Sequence, residues 1–233
     1  MARVAMVSGG GRGLGAAIAE RLLDDGWTVS LGLRDVGQAA RFDAPAGHLM
    51  AVRFDADRPA TADAWVSATV ERLGRIDALV NNAGILRTVD FEQGSEADLD
   101  AMWAVNVKAP FRLVRAALPH LRKTGNGRIV NIASTDARRY RPGTSIGYAM
   151  TKHALLAMTQ AARFAGWDDG VRATALCPGA IDTDLVAGLP GVTPKGDRLT
   201  PETVAGLVAT ILTLPNQASL PELIVNTRLE TLI

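Results

Sequence analysis

The chain is predicted to fold as a doubly wound α/β domain, with a mostly parallel sheet of about seven strands between two helical layers. Three observations predict it. Seven short apolar runs recur along the sequence, segments of helical period lie between them, and the first run ends in a glycine-rich turn. Strands that alternate with helices need crossover connections, which set neighbouring strands parallel and cover both faces of the sheet. At 233 residues the chain is long enough for one sizeable core, and α/β domains of this length often stay undivided. A single domain over residues 1–233 is expected.

The strands are read at Val4–Val7, Val29–Leu33, Leu49–Phe54, Ala78–Val80, Ile129–Ile132, Val171–Leu176 and Leu223–Val225. The helices are read at Leu14–Asp24, Ala60–Leu73, Ser95–Leu121, Ile146–Ala165 and Pro201–Leu212, where apolar residues return every three or four positions. The Gly/Pro-rich stretch from Pro178 to Pro201 interrupts the alternation and reads as a loop, placed where a lid could sit.

Composition narrows the function classes. A hydrophobic share of 48% with 21% charged residues is that of a folded globular chain, not of a disordered or collagen-like one. Net charge is +1 with Lys and Arg scattered, so the electrostatic footprint of a nucleic-acid binder is absent. No run approaches the roughly 18 apolar residues of a membrane span, and no leader-like segment precedes the first strand. A cytoplasmic protein without membrane association is expected. Cys177 is the single cysteine, which leaves no internal disulfide or cysteine metal cluster and fits a reducing compartment. His48, His120 and His153 show no metal-ligand spacing, and no metal is expected.

Two patterns carry chemistry. The first strand runs into Ser8-Gly9-Gly10-Gly11-Arg12-Gly13-Leu14-Gly15. There Gly9 permits a tight turn, Gly13 the close approach of a pyrophosphate and Gly15 close packing of helix on strand. The helix start adds free N–H groups and a positive dipole end. This is the dinucleotide turn of a Rossmann-type fold, with three residues between Gly9 and Gly13 as a variant spacing. In the second pattern, Tyr148 and Lys152 stand four apart in a helical segment and share a face. A phenol with a pKa near 10 is a poor base at neutral pH, and an adjacent ammonium favours the phenolate.

Further motifs follow in order: Asn81-Asn82-Ala83-Gly84 after the fourth strand, Tyr148-Ala149-Met150-Thr151-Lys152, and Pro178-Gly179 with Thr183 soon after. With these the chain resembles the short-chain dehydrogenase/reductase family, in its compact single-domain branch, from Val4 to about Val225. The resemblance implies a nicotinamide-dependent oxidoreductase acting on a small carbonyl or alcohol. It implies Tyr148 as acid/base, Lys152 tuning the phenol and bonding the nicotinamide ribose, and Ser134 bonding the substrate oxygen. Thr135 is the alternative to Ser134, one residue closer to Tyr148. Asn106 matches the residue that holds a proton-relay water near the lysine. The resemblance places the cofactor on Gly9, Arg12, Gly13, Leu14, Gly15, Arg34, Asp55, Asn82, Ala83, Gly84, Tyr148, Lys152, Pro178, Gly179 and Thr183. Within that set Asp55 bonds the adenine, and Thr183 the carboxamide.

Charge favours NADP(H) over NAD(H). Leu33 stands where a carboxylate would bond the adenosine ribose and repel a 2′-phosphate, while Arg34 and Arg12 offer guanidiniums to that phosphate. Asp35 is placed to pair with Arg34 and blunt the preference. Two departures from the family pattern are Ser8, where Thr is usual, and Glu222–Thr227, which lacks the common Asp-Gly-Gly ending. By resemblance the assembly is a homodimer or homotetramer.

Two competing readings are a dinucleotide-binding sensor or scaffold of the same fold, and a sugar-nucleotide epimerase or dehydratase. Ser134, Tyr148, Lys152 and Asn106 argue against the first, and the short portion after Pro178 against the second. The loop from Ile181 to Thr200 is the expected specificity element. Arg138, Arg139 and Arg141, with Tyr140, lie between Ser134 and Tyr148. Either a guanidinium points inward and selects an anionic or strongly polar carbonyl, with Tyr140 in the wall, or the segment is a solvated surface loop.

Overall fold

The computed structural model describes residues 2–141, 143–189 and 192–229. Its seven strands are β1 (Val4–Ser8), β2 (Thr28–Leu33), β3 (Leu49–Arg53), β4 (Ala78–Asn81), β5 (Arg128–Ile132), β6 (Arg172–Pro178) and β7 (Glu222–Val225). They form one sheet in the order β3-β2-β1-β4-β5-β6-β7, and every pairing is parallel. The helices are α1 (Gly13–Asp24), α2 (Ala60–Leu73), α3 (Glu96–Trp103), α4 (Ala109–Lys123), α5 (Ile146–Gly166) and α6 (Pro201–Thr213).

Strands of a parallel sheet with helices on both faces are apolar throughout rather than alternating. β1, β2, β4 and β5 are accordingly buried at every position. On one face Ile18 and Leu22 of α1 pack with Val204 and Val208 of α6. On the other, Trp65 of α2, Leu113 of α4 and Ala162 of α5 close a second core over Met6, Leu79 and Ile129. Trp65 lies 5.2 Å from Phe54 between ring centroids and donates its indole N–H to Ser30 Oγ. The winding reverses between β1 and β4, and a ligand crevice forms outside the carboxyl ends of the strands at such a point.

Three segments differ from expectation. The helix read at Ser95–Leu121 is two helices joined by a π-helical turn over Ala104–Lys108, with Asn106 inside it; a single wide turn is invisible to apolar periodicity, and such turns favour functional sites. Ser95 caps α3 by accepting from the Asp98 N–H. The stretch from Pro178 to Pro201 holds 3-10 turns at Asp184–Val186 and Lys195–Asp197, with Ile181 paired to Leu199; positions 190 and 191 of that loop lie outside the described residues. A 3-10 turn at Val36–Arg41 follows β2 and is capped by Asp35. Among the described residues no helix is long and apolar enough to cross a membrane.

Candidate active site

A cleft of about 930 Å³ opens along the carboxyl ends of β1, β2, β4, β5 and β6. It brings together Gly9, Arg12, Gly13, Leu14, Gly15, Arg34, Asp55, Asn82, Ala83, Gly84, Ser134, Tyr148, Lys152, Pro178, Gly179 and Thr183. Of the expected site residues, only Asn106 stays outside its wall.

The glycine turn is shaped by contact. Gly9, at φ +68°, has Ala83 Cα 3.1 Å from where a Cβ would stand, and a Cβ on Gly15 would meet Gly9 O at 2.2 Å and Asn82 Nδ2 at 2.5 Å. Gly13, at φ +53°, faces Thr183. Ser8 locks this turn to the segment after β4: its hydroxyl accepts from the Asn82 and Ala83 N–H groups, both at 3.0 Å. The Asn82 side chain donates to Ser8 O and Gly9 O. A hydroxyl suffices for this knot, so Ser8 serves as Thr would. Asn81 acts one layer deeper, donating to Asn131 Oδ1 at 2.8 Å, while Asn131 donates to Thr159.

The N-terminus of α1 starts at Arg12 with no side-chain cap and no acid in its first turn. Its free N–H groups and positive dipole end fit an anionic pyrophosphate. Thr183, across the cleft, makes no side-chain hydrogen bond among the described residues. Arg34 likewise makes no ion pair among them. Asp35 forms no ion pair with it among the described residues; its carboxylate accepts from the Gly37 N–H at 2.9 Å. Arg12 reaches over to Asp184 at 2.9 Å, both side chains largely exposed. Leu33 lines the cleft but is 2% exposed and belongs to the α1/α6 core. Asp55 lines the cleft with one carboxylate oxygen accepting from the Asp57 N–H at 3.2 Å. Gln38 was not foreseen; it folds over Gly11, where a Cβ would meet its Oε1 at 1.9 Å.

At the other end, Ser145 fixes the reactive face of α5. Its Oγ accepts from the Tyr148 N–H and donates to Arg87 O at 2.7 Å, which ties the helix start to the strand-β4 connection. Tyr148 falls in the first turn and Lys152 one turn later. Lys152 Nζ lies 5.4 Å from the Tyr148 ring centroid and donates to Ile132 O at 2.7 Å. Ser134 ends the β5 extension. Of the two hydroxyls considered there, Ser134 Oγ accepts from the Asp136 N–H at 3.0 Å and lies close enough to the Tyr148 phenol to lower its pKa, while Thr135 Oγ1 accepts from Arg139.

Burial dominates the electrostatics of this end of the cleft. Burial, the negative charge of Asp136 second, holds the Tyr148 phenol above its ordinary range, and the bond with Ser134 only partly offsets this. Lys152 stands beside this phenol. Its own pKa is pushed down to about 8 by burial, and its nitrogen is anchored on a backbone oxygen. Behind it, burial first and Glu222 second push the Cys177 thiol up to about 12.

Asn106 lies behind the cleft wall. It is 1% exposed; its Oδ1 accepts from the Ile85 N–H while its Nδ2 donates to Ile85 O and Thr151 Oγ1. The amide thereby clamps the post-β4 segment to α5. The arginine segment divides. Arg138 pairs outward with Glu222 at 3.2 Å, and Tyr140, half exposed, lines no part of the cleft. Arg139 and Arg141 both line it. Asp136, whose position two residues past Ser134 was the only signal for it, is a buried acid of the same wall. Among the described residues no cluster of three His, Cys, Asp or Glu side chains could hold a metal.

Comparison with known proteins agrees with this geometry. The family described as short chain dehydrogenase matches residues 3–190. The chain is 40% identical over 220 residues to the agropine synthesis reductase of Rhizobium rhizogenes, covering 94% of this chain and 51% of that protein. It thus spans about half the length of that relative. It is 38% identical over 198 residues to the 2-(R)-hydroxypropyl-CoM dehydrogenase of Xanthobacter autotrophicus, covering 79% and 77% of the two chains. Among solved structures, an alcohol dehydrogenase of the archaeon Thermococcus sibiricus complexed with 5-hydroxy-NADP superposes with a TM-score of 0.86 at 30% identity, covering 96% of each chain.

Proposed function

Because the chain belongs to the short-chain dehydrogenase/reductase family, we propose that it is an NADP(H)-dependent oxidoreductase that interconverts a small carbonyl compound and its alcohol. The observation that carries this reading is the meeting of Ser134, Tyr148 and Lys152 in one cleft with the uncapped glycine turn of α1.

The cofactor would be held by the α1 N-terminus at the pyrophosphate, by Arg34 and Arg12 at a 2′-phosphate, and by Lys152 and Thr183 near the nicotinamide. When bound, it supplies or accepts the hydride. The protein's own residues handle the proton and the charge. Tyr148 keeps its proton in the unliganded site, so it is ready to donate from the phenol oxygen to a carbonyl oxygen. Ser134, beside that phenol in the cleft, would donate to the same substrate oxygen and steady charge developing on it. The Lys152 ammonium favours the phenolate left behind, and the burial that raises the phenol pKa also strengthens this attraction. In the oxidative direction Tyr148 takes the proton back.

Arg34 supports NADP(H) because its guanidinium is unpaired while the neighbouring acid is occupied as a turn cap. Solved relatives at 30% and 29% identity were complexed with 5-hydroxy-NADP and with NADH respectively, so the preference rests on Arg34. The test is a panel of aldehydes, ketones and alcohols with NADPH, NADH and their oxidised forms, followed at the nicotinamide absorbance band. Turnover with NADPH or NADP⁺ is expected. Dinucleotide binding without turnover of any member would overturn the reading in favour of a sensor.

A further inference from the structure

Arg141 lines the cleft with its side chain about one-third exposed. Its only contact to an acid is a long one, Nε to Asp136 Oδ1 at 3.8 Å. It makes no hydrogen bond among the described residues, and its Nε is buried without a partner. A buried N–H left without an acceptor costs its desolvation penalty, so this arrangement is incomplete as it stands. The missing component is an acceptor.

The neighbouring groups determine which acceptor. Asp136 would repel an anion, but Arg139, itself only 6% exposed, donates Nη1 to Asp136 Oδ1 and its second nitrogen to Thr135 Oγ1. That carboxylate is shared by two guanidiniums, closely with Arg139 and at 3.8 Å with Arg141. Arg228, on the segment after β7, lines the same cleft and donates Nη2 to Thr193 Oγ1. Asp184, another acid that lines the cleft, is paired with Arg12. The guanidinium fork matches the two oxygens of a carboxylate or phosphate.

We propose that Arg141, seated on the Arg139–Asp136 pair, binds an oxyanion carried by the substrate, so that the enzyme selects oxo or hydroxy compounds bearing a carboxylate or phosphate over neutral ones. The proposal rests on the oxidoreductase reading for its chemistry, but the anion site can be measured without turnover.

The full chain saturated with NADP⁺ is titrated calorimetrically with three probe series: oxo acids of increasing length, their neutral carboxamides, and phosphate-bearing carbonyls. The carboxamides keep shape and remove charge. Wild type is expected to bind an anionic series about tenfold to a hundredfold more tightly than the carboxamides, the size of a charge-assisted hydrogen bond. Whichever anionic series binds better identifies the source of the oxyanion. Arg141→Gln should bring the ratio close to one and Arg141→Lys should recover part of it, while Arg138→Gln, on the outward face, should leave it as in wild type. Equal affinity for acid and carboxamide in wild type, or a ratio that persists in Arg141→Gln, overturns the proposal. The same probes are assayed with NADPH. Absence of any turnover alongside Arg141-dependent acid binding would count against the oxidoreductase reading alone; equal turnover of acids and carboxamides would count against the anion site alone.

Discussion

The Lys152 ammonium donates to the main-chain oxygen of Ile132 at 2.7 Å, a bond that fastens the middle of α5 to the end of β5. The lysine is thereby fixed in place before any ligand arrives. It is also held where water is scarce, which makes its charge sensitive to pH.

With its pKa at about 8 instead of 10.5, the unliganded protein carries this ammonium only below about pH 8. kcat/KM for NADPH reports the free enzyme, and it should fall as pH rises through that value. Lys152→Arg, whose guanidinium stays charged, should lose this limb. A wild-type profile flat to pH 10 would refute the assignment. The same shift has a stability sign: the unfolded chain keeps the proton between about pH 8 and 10.5, so this group's contribution to stability rises over that window.

Tyr148→Phe removes the phenol oxygen and keeps the ring that packs with Val89 and Met102. A general acid contributes about 10² to 10⁴ in rate. The variant should lose activity on that scale while its NADPH dissociation constant, read by fluorescence titration, stays within a few-fold of wild type. Retention of more than about a tenth of the wild-type rate would remove Tyr148 from the chemistry.

Arg34→Ala should weaken NADPH by about tenfold to a hundredfold and leave NADH nearly unchanged. Arg12→Ala should cost less. That guanidinium already has Asp184, and an exposed pair of this kind is worth at most about 1 kcal/mol. Titration calorimetry on the two variants and both cofactors decides the matter; equal affinity of wild type for NADPH and NADH would defeat the charge argument.

Ser8→Ala would leave the Asn82 and Ala83 N–H groups without their acceptor, a loss of about 1 to 3 kcal/mol for a buried polar group. Ser8→Thr keeps the hydroxyl. Urea unfolding should show the midpoint fall for the first variant and stay close to wild type for the second.

Much of this site is legible in the sequence because its signals are local. The glycine turn follows a strand by adjacency, Tyr148 and Lys152 share a helical face by spacing, and each strand is a continuous apolar run. What escapes is set by contacts between distant segments. The wide turn at Asn106 keeps the apolar period of the helix around it, and the bonds of its amide to Ile85 and Thr151 have no counterpart in local pattern. The direction in which Arg138, Arg139 and Arg141 point is equally hidden, since three arginines within four residues read the same to composition. Asp136 decides it by drawing Arg139 inward, while Glu222 on β7 draws Arg138 out.

The Ser8 hydroxyl bonds residues 74 and 75 positions away, and Asn106 reaches 45 positions to Thr151. Contacts this distant close late in folding, because the loop entropy is lost before they form. No fragment of the chain therefore contains the cleft, and a ligand that fills it binds the native state alone. By mass action, a cofactor at a hundred times its dissociation constant adds about 2.7 kcal/mol to the stability of the entire domain. Where proteolysis follows the population of opened chains, abundance of the protein should then track the concentration of the ligand that fills the cleft.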